Sequence, residues 1–365
     1  MPGHIESLWS RAAKQTCFRD VESSDFEHAK VNLLRVILGL IMLWRLGKVA
    51  LAVPLYFGPD STLTSGLIMA ECSLVISFTI GFLTPLTTVA IILTINWLDQ
   101  LLLIETLGTS ILTRLLLGFL CANAGRRFSV DAWLMNHHPH AEPAGWARSL
   151  YRIAGGPDAS RLRVIYLLLL VAYGLTSFAA ITLHLTDPFW ITGRTTSVML
   201  TSSYHCRWWE FFRWLQKTQP QLFFLLSAIG GVGQSIFQVL MIPLAFSRIG
   251  SRFVILWGLL FFFMSALLLQ LSYLPAIEFV YWALLFLRQP TTWQSAPESV
   301  SPQLTANDTF HRFSTTWATV VFVAYSVFLC FHRGWIESHS PWIGTLYRTL
   351  YRHGMQIPDV FNSTD

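Results

Sequence analysis

Long apolar runs separated by short polar segments dominate the chain from residue 31 to residue 290. Most runs hold about 20 apolar residues, enough to cross a bilayer as an α-helix with a rise of about 1.5 Å per residue. Such runs are too long for the strands of a membrane β-barrel. The pattern predicts an all-α, polytopic transmembrane helical bundle of about eight to nine spans with interfacial helices.

The apolar runs set the predicted boundaries of the spans. The spans are expected over residues 31–53, 65–83, 86–107, 111–124, 164–193, 222–246, 253–271, 274–287 and 317–331, the fifth with its apolar part ending near residue 186. Residues 1–30 are a predicted cytoplasmic tail and 31–290 the membrane domain. Residues 291–316 are a predicted linker, and 317–365 are expected to hold a last membrane helix and a polar tail.

Composition and charge agree with a membrane protein. Of the 365 residues, 53% are hydrophobic and 12% are charged, whereas soluble domains have about 25% charged residues. The net charge of +5 is interpreted as membrane topology rather than nucleic-acid binding, because Lys and Arg are richer on one set of loops. This bias predicts a multi-pass protein of the cell (inner) membrane with a cytoplasmic amino terminus, and a lipid bilayer as its main partner.

Several charged side chains fall inside predicted spans. Arg45 and Lys48 lie three residues apart in the first span, and Asp99, Gln100 and Glu105 lie in the third. A charge at such depth costs about 2.5 to 3.5 kcal/mol, so these groups are expected to face protein, with the two cations paired to buried acids. The polar stripe of the third span either joins helices by hydrogen bonds or contacts an ion or substrate, and both interpretations stay open.

The fifth span ends in a group of polar and aromatic residues, His184, Asp187 and Trp190. Histidine titrates near about 6.5, so His184 is a candidate base that Asp187 would orient. A second interpretation of His184, as a helix cap or a contact to lipid headgroups, stays equally open. Gln238, one of two glutamines four residues apart in the sixth span, is a further candidate for the same pocket.

Two polar segments predict helices at the membrane surface. The first, GRRFSVDAWL over Gly125–Leu134, offers Ser129 or Asp131 as a helix cap. The second, HCRWWEFFRWL over His205–Leu215, combines indole rings with arginines, which favours anchoring at lipid headgroups over an aromatic platform for a substrate.

Metal binding is not predicted. The tract NHHPH over Asn136–His140 contains a proline that breaks helical spacing, and no carboxylate or cysteine nearby completes a ligand set. A solvated loop is the better interpretation. The five cysteines form no CxxC pair, so neither a thiolate site nor a disulfide framework is expected.

Three segments, NLLRVILGLIMLWR, GRRFSVDAWL and HLTDPFWITG, resemble in that order the horizontally transferred transmembrane domain family. The membrane domain of the vitamin K-dependent gamma-glutamyl carboxylase belongs to this family. The resemblance covers roughly residues 30–290, and it implies a helical cage that meets a lipid-soluble quinone. It also places His184 where the carboxylase has a lysine thought to act as base toward the reduced quinone.

The chain departs from that family at other positions. It reads Trp97, Leu98, Asp99 and Gln100 where the family shows tryptophan, two asparagines and histidine. Where the family often has an acid in the sixth span, this chain has Gln238. A histidine common in the family near Phe262 is missing. These departures favour a lipid- or quinone-binding protein, or an accessory subunit among other membrane subunits. The alternative is a membrane enzyme acting on a quinol or an exported peptide with His184 as base; a transporter is disfavoured because no inverted repeat is visible.

Overall fold

The structure is a computed structural model, and it describes residues 18, 25–57, 62–101, 107–125, 127–137, 159–186 and 188–288. Regular structure within these ranges is α-helical, and the nearest approach to a strand there is an isolated antiparallel bridge between Cys206 and Leu269. The all-α prediction is therefore confirmed for this part of the chain.

Twelve helices are described, and they are numbered in chain order. The long ones are α1 (Asp25–Phe57), α2 (Thr62–Ile80), α3 (Thr84–Leu101), α4 (Leu107–Cys121), α6 (Ala159–Thr186), α10 (Pro220–Ala245), α11 (Arg248–Leu268) and α12 (Leu274–Phe286). The short ones are α5 (Val130–His137), α7 (Pro188–Ile191), α8 (Arg194–Thr201) and α9 (Trp209–Thr218).

The long helices form a closed ring in which neighbours follow chain order. Contacts run from α1 through α2, α3, α4, α6, α10 and α11 to α12, which packs back against α1. Helix α12 also touches α4 and α6, so it lies toward the centre of the ring. The large apolar core is shared by α1 to α4, α6 and α10 to α12. Side chains on α4, α6 and α12 therefore meet in the interior.

Three of the described helices are long and apolar enough to cross a membrane, over Arg161–Phe178, Pro220–Ala245 and Ile249–Leu268. Four shorter apolar helical stretches lie at Thr64–Ile80, Thr84–Ile95, Gly108–Cys121 and Leu274–Phe286. The first span is 67% buried, whereas the other two are each 28% buried. Helix α6 is thus enclosed by protein, and α10 and α11 expose much of their apolar surface.

The predicted boundaries differ from the structure at both ends of the fifth span. Helix α6 begins five residues before residue 164 and ends at Thr186, and residues 188–193 form the short helix α7 and a turn. Gly193 has a positive φ of 72°, which suits glycine and lets the chain reverse into α8. The predicted linker 291–316 and the predicted span 317–331 lie outside the described residues.

The turn between α2 and α3 is held by Asp131 from α5. Its carboxylate accepts hydrogen bonds from the backbone N–H of Leu83 at 2.8 Å and of Thr84 at 2.9 Å. Asp131 therefore caps α3, whereas Ser129 caps its own helix by accepting from the Ala132 N–H at 3.0 Å.

Arg35 lies beneath the same turn. It is fully buried and donates from Nη2 to the Phe128 carbonyl at 2.7 Å. Arg35 lies ten residues after the start of α1, and the turn between α2 and α3 covers its side chain.

Candidate functional site

A group of polar side chains occupies the interior where α4, α6 and α12 meet. It is called the central polar cluster, and its members are Arg114, Tyr173, Thr176, Glu278 and Tyr281. All are at most 8% exposed, although apolar side chains surround them. Ionisable groups buried in a membrane helix bundle are rare and commonly functional, so this cluster is the leading candidate site.

Helices α6 and α12 are joined across the cluster by two tyrosine hydroxyls. Tyr173 donates a hydrogen bond to Glu278 Oε1 at 2.9 Å, and Tyr281 donates to the Leu169 carbonyl at 2.7 Å. The two phenol rings lie tilted against each other with centroids 5.4 Å apart. Because Leu169 and Tyr173 are four residues apart on α6, these bonds fix one face of that helix against α12.

Arg114 brings a cation into the cluster from α4. Its Nη1 donates to the Thr176 hydroxyl on α6, and its charge interacts electrostatically with both Tyr173 and Tyr281. Arg114 as a whole is 1% exposed. A buried arginine, a buried carboxyl group and two phenols thus lie within one interior region that offers several donors and an acceptor.

Aromatic rings line the side of the cluster toward α10 and α11. The Trp282 ring lies 5.4 Å from Tyr173 and 5.0 Å from Phe262, and its indole N–H donates to the Ile255 carbonyl at 3.3 Å. Gly258 on α11 faces this indole so closely that a Cβ there would be 2.5 Å from Trp282. The absence of a side chain at this position permits the close approach of α11 and α12.

A second polar contact lies at the start of α12. The Arg45 guanidinium from α1 lies over the Tyr273 ring at 4.8 Å, and the Tyr273 hydroxyl is 3.2 Å from the Thr109 hydroxyl of α4. Arg45 and Thr109 are both buried. This contact ties α1 and α4 to α12 by a cation–π interaction and a hydrogen bond.

A third polar group surrounds Glu27 in the first turn of α1. The Glu27 carboxylate is 2.7 Å from Lys30 Nζ, accepts from the Tyr166 hydroxyl at 2.7 Å and lies 4.0 Å from Arg288. Lys30 also donates to the Leu287 carbonyl at 3.0 Å. Burial lowers the pKa of Lys30 from 10.5 to about 8, although the adjacent Glu27 carboxylate acts in the opposite direction.

Most of the residues predicted for the site lie where their side chains are not described. His184 belongs to α6, and Asp99 and Gln100 belong to α3, but the structure describes only their helical backbone. Glu105 and Asp187 lie outside the described residues. Their convergence on one pocket therefore stays a prediction.

The remaining predicted residues occupy different places in the fold. Arg45 is buried beside Tyr273, whereas Lys48 is exposed and lies over the Trp44 ring at 4.0 Å. Trp190 of α7 is 8% exposed. Gln238 of α10 is partly buried, directly after Phe237 and three residues before Met241, both of which belong to the apolar core. The pair Arg45 and Lys48 thus diverges, with only Arg45 directed inward.

Sequence reasoning did not select the residues of the central polar cluster. Glu278 is visible in the sequence as an acid in the apolar run 274–287, but Tyr173, Thr176 and Tyr281 look ordinary in helices rich in aromatic residues. Their spacing gives a signal, since Tyr166, Tyr173 and Thr176 recur at intervals of seven and three residues and so share one face of α6. Among the described residues, no group of three or more His, Cys, Asp or Glu side chains could hold a metal ion.

The apolar spans and the buried polar interior define a helical membrane protein. Searches against protein families, curated proteins and solved structures give no match to this chain.

Proposed function

We propose that this protein binds a lipid-soluble ligand with carbonyl oxygens, of the quinone type, at the central polar cluster, and that all eight long helices cross the membrane around it. The observation that carries the proposal is the burial of Glu278 and Arg114 together with two tyrosines inside an apolar bundle. We further propose that the chain shares ancestry with the horizontally transferred transmembrane domain family, which three of its segments resemble.

The energetics favour a functional role for this cluster. Burying an arginine and a carboxyl group in the bundle is costly, and apolar residues of similar volume would often be as stable or more so. Apolar residues around these groups already form a continuous core between α4, α6 and α12. Retaining them is explained if they recognise a polar group that enters the membrane interior.

The chemistry of a quinone suits the residues present. Its carbonyl oxygens accept hydrogen bonds, which Tyr173 and Arg114 donate, and its ring offers a face to the aromatic side chains of Trp282 and Phe262. Tyr173 now donates to Glu278, and Arg114 to Thr176. A ligand carbonyl would replace one of these internal acceptors, and the ligand's apolar tail would lie among the core side chains.

The enzymatic alternative concerns the far end of the same helix. His184 lies on α6 eight residues after Thr176. As a base it would take a proton from a quinol or an exported peptide, with Asp187 orienting it. A role as accessory subunit remains compatible with the proposed ligand site, since the exposed apolar faces of α10 and α11 would accept either lipid or another membrane subunit.

The test is a quinone and lipid inventory of the purified full-length protein by mass spectrometry. The matched variants are Tyr173→Phe and Tyr166→Phe, each of which removes one buried hydroxyl from α6. We expect bound quinone in the wild type, a loss of about three- to tenfold in Tyr173→Phe, and retention in Tyr166→Phe, because one hydrogen bond contributes about 1 kcal/mol.

Two results would contradict the proposal. The first is bulk phospholipid alone in the wild type, and the second is an equal loss of ligand in both tyrosine variants. A His184→Ala variant distinguishes the alternatives, because an enzyme would keep the ligand and lose turnover of added quinol. Loss of the ligand itself from His184→Ala would extend the binding site along α6.

A further inference from the structure

The segment of residues 202–218, called the interfacial segment, covers the end of α11. It contains the helix α9 and the loop that precedes it. The backbone N–H of Arg207 donates to the Leu268 carbonyl at 2.8 Å, and the Trp208 indole N–H donates to the Leu267 carbonyl at 3.2 Å. The last carbonyls of α11 thus find donors in the loop, which satisfies groups that a helix end leaves unpaired.

Chain connection fixes the level of the interfacial segment relative to the membrane. Helix α10, one of the candidate spans, begins at Pro220, directly after α9 ends at Thr218. Helix α11 ends at Leu268, where the interfacial segment caps it. Because α10 starts and α11 ends at this level, α9 lies at the boundary between lipid and water.

Packing fixes the rotation of α9 about its axis. Phe212 and Leu215 are buried, and they form a small apolar cluster with Leu200, Cys206 and Phe223. This cluster holds α9 against α8 and α10. The side chains that remain exposed therefore lie on defined faces of the helix.

The exposed surface of α9 divides into an aromatic face and a charged face. Phe211 and Trp214 are 49% and 55% exposed, and their ring centroids are 5.9 Å apart. Glu210, Arg213 and Lys217 are also exposed. Successive residues of a helix are rotated by about 100°, so these three charged side chains lie opposite the buried side of α9 and beside the aromatic pair.

We propose that α9 lies along the lipid headgroup layer, with Phe211 and Trp214 in the lipid and the charged face toward anionic phosphate groups. Helix α10, which follows α9 directly, also exposes apolar side chains near its start, since Phe224 and Leu225 are 51% and 56% exposed. The segment carries three cationic side chains, Arg207, Arg213 and Lys217, against one acid, Glu210. Its surplus positive charge complements phosphatidylglycerol rather than a zwitterionic lipid. This inference is independent of the ligand proposed above.

The position of α9 is tested with spin labels on the full-length protein in phosphatidylcholine vesicles with and without phosphatidylglycerol. Trp214→Cys and Lys217→Cys, in a background without other cysteines, place a label on each face. We expect the label at 214 to collide mainly with oxygen and the label at 217 mainly with a water-soluble nickel complex. Equal access of nickel to both labels, or shielding of both labels from both reagents by protein, would overturn the proposal.

The background without cysteines removes the buried Cys206, so a second measurement uses the native protein. A phospholipid with a photoactivatable group near its headgroup is crosslinked to the wild type, and mass spectrometry locates the adducts. Adducts within residues 208–218 support the proposal. Adducts confined to α10 and α11 contradict it.

The lipid preference has its own pair of variants with opposite expected effects. We measure binding of spin-labelled phosphatidylglycerol and phosphatidylcholine to Lys217→Gln and Glu210→Gln. The preference for phosphatidylglycerol should fall by up to about fivefold in Lys217→Gln and rise in Glu210→Gln, since each basic residue at an anionic surface has an effect of that size. If neither variant changes the preference for phosphatidylglycerol, α9 contacts lipid regardless of headgroup charge. That result would overturn the proposed preference for anionic lipid.

Discussion

Lys30 and Glu27 form a buried ion pair whose charge depends on pH. Burial lowers the pKa of Lys30 to about 8, whereas the same group in an unfolded chain keeps its ordinary value of 10.5. Between these two values the unfolded state binds the proton more strongly than the folded state. Stability should therefore rise with pH across this window, by up to about 3 kcal/mol from this one group, and its contribution should be constant below pH 8.

This pH dependence is measured against a Lys30→Met variant. Thermal unfolding of both proteins in detergent, at pH values from 7 to 10.5, gives the difference between their midpoints. We expect the wild type to gain relative to the variant above pH 8. A difference that does not change with pH would show that Lys30 keeps its proton through this range.

Individual residues also show how far sequence reasoning reaches. A buried charge in an apolar run is visible in the sequence, so Arg45 and Glu278 could be singled out. Their partners could not, because Tyr273 and Tyr173 come from distant parts of the chain and look like ordinary core residues. Lys48 was placed with Arg45 because a spacing of three residues suggests one face, but Lys48 is exposed and packs on Trp44.

At the scale of helices, the contact of α11 with α12 depends on Gly258. A methyl group there would meet the Trp282 indole at 2.5 Å, and Trp282 is 1% exposed with little room to move. Gly258→Ala should destabilise the protein by about 1 to 3 kcal/mol through overpacking. Gly66→Ala on α2 is the matched control, because a Cβ there would meet nothing within 4 Å; it should be neutral or slightly stabilising.

Unfolding midpoints of these two glycine variants in detergent provide the measurement. A loss in Gly258→Ala with no loss in Gly66→Ala confirms the packing. Equal midpoints would mean that the two helices can separate without cost.

The helices themselves were predicted with uneven success. Apolar runs located most of the long helices, because a bundle in lipid needs apolar residues wherever it is exposed. The segment 125–134 correctly suggested a helix with Ser129 as cap, but it did not reveal that Asp131 caps a different helix, α3. Such contacts between distant turns carry no periodic signal in the sequence.

At the scale of the whole molecule, α6 is enclosed by other helices, whereas α10 and α11 lie at the periphery of the bundle. Leu169 of α6 is fully buried against Gly118 of α4, whereas Leu256 of α11 is 69% exposed. Leu169→Ala should cost about 2 to 5 kcal/mol through the cavity it leaves. Leu256→Ala, which removes the same atoms from an exposed site, should have little effect in detergent.

Comparing the unfolding midpoints of Leu169→Ala and Leu256→Ala tests this division. If Leu256→Ala proves as destabilising as Leu169→Ala, then α11 is covered by protein in the folded state. That result would favour a second subunit on this face.

The contact between the two ends of the described membrane domain constrains its topology. Lys30 near the start of α1 donates to the Leu287 carbonyl just after α12, and Arg288 lies 4.0 Å from Glu27. Both points therefore lie on the same side of the bundle. A chain that leaves one side of a membrane and returns to it must cross an even number of times, so the parity of the crossings between Lys30 and Arg288 is fixed whichever way the protein is inserted.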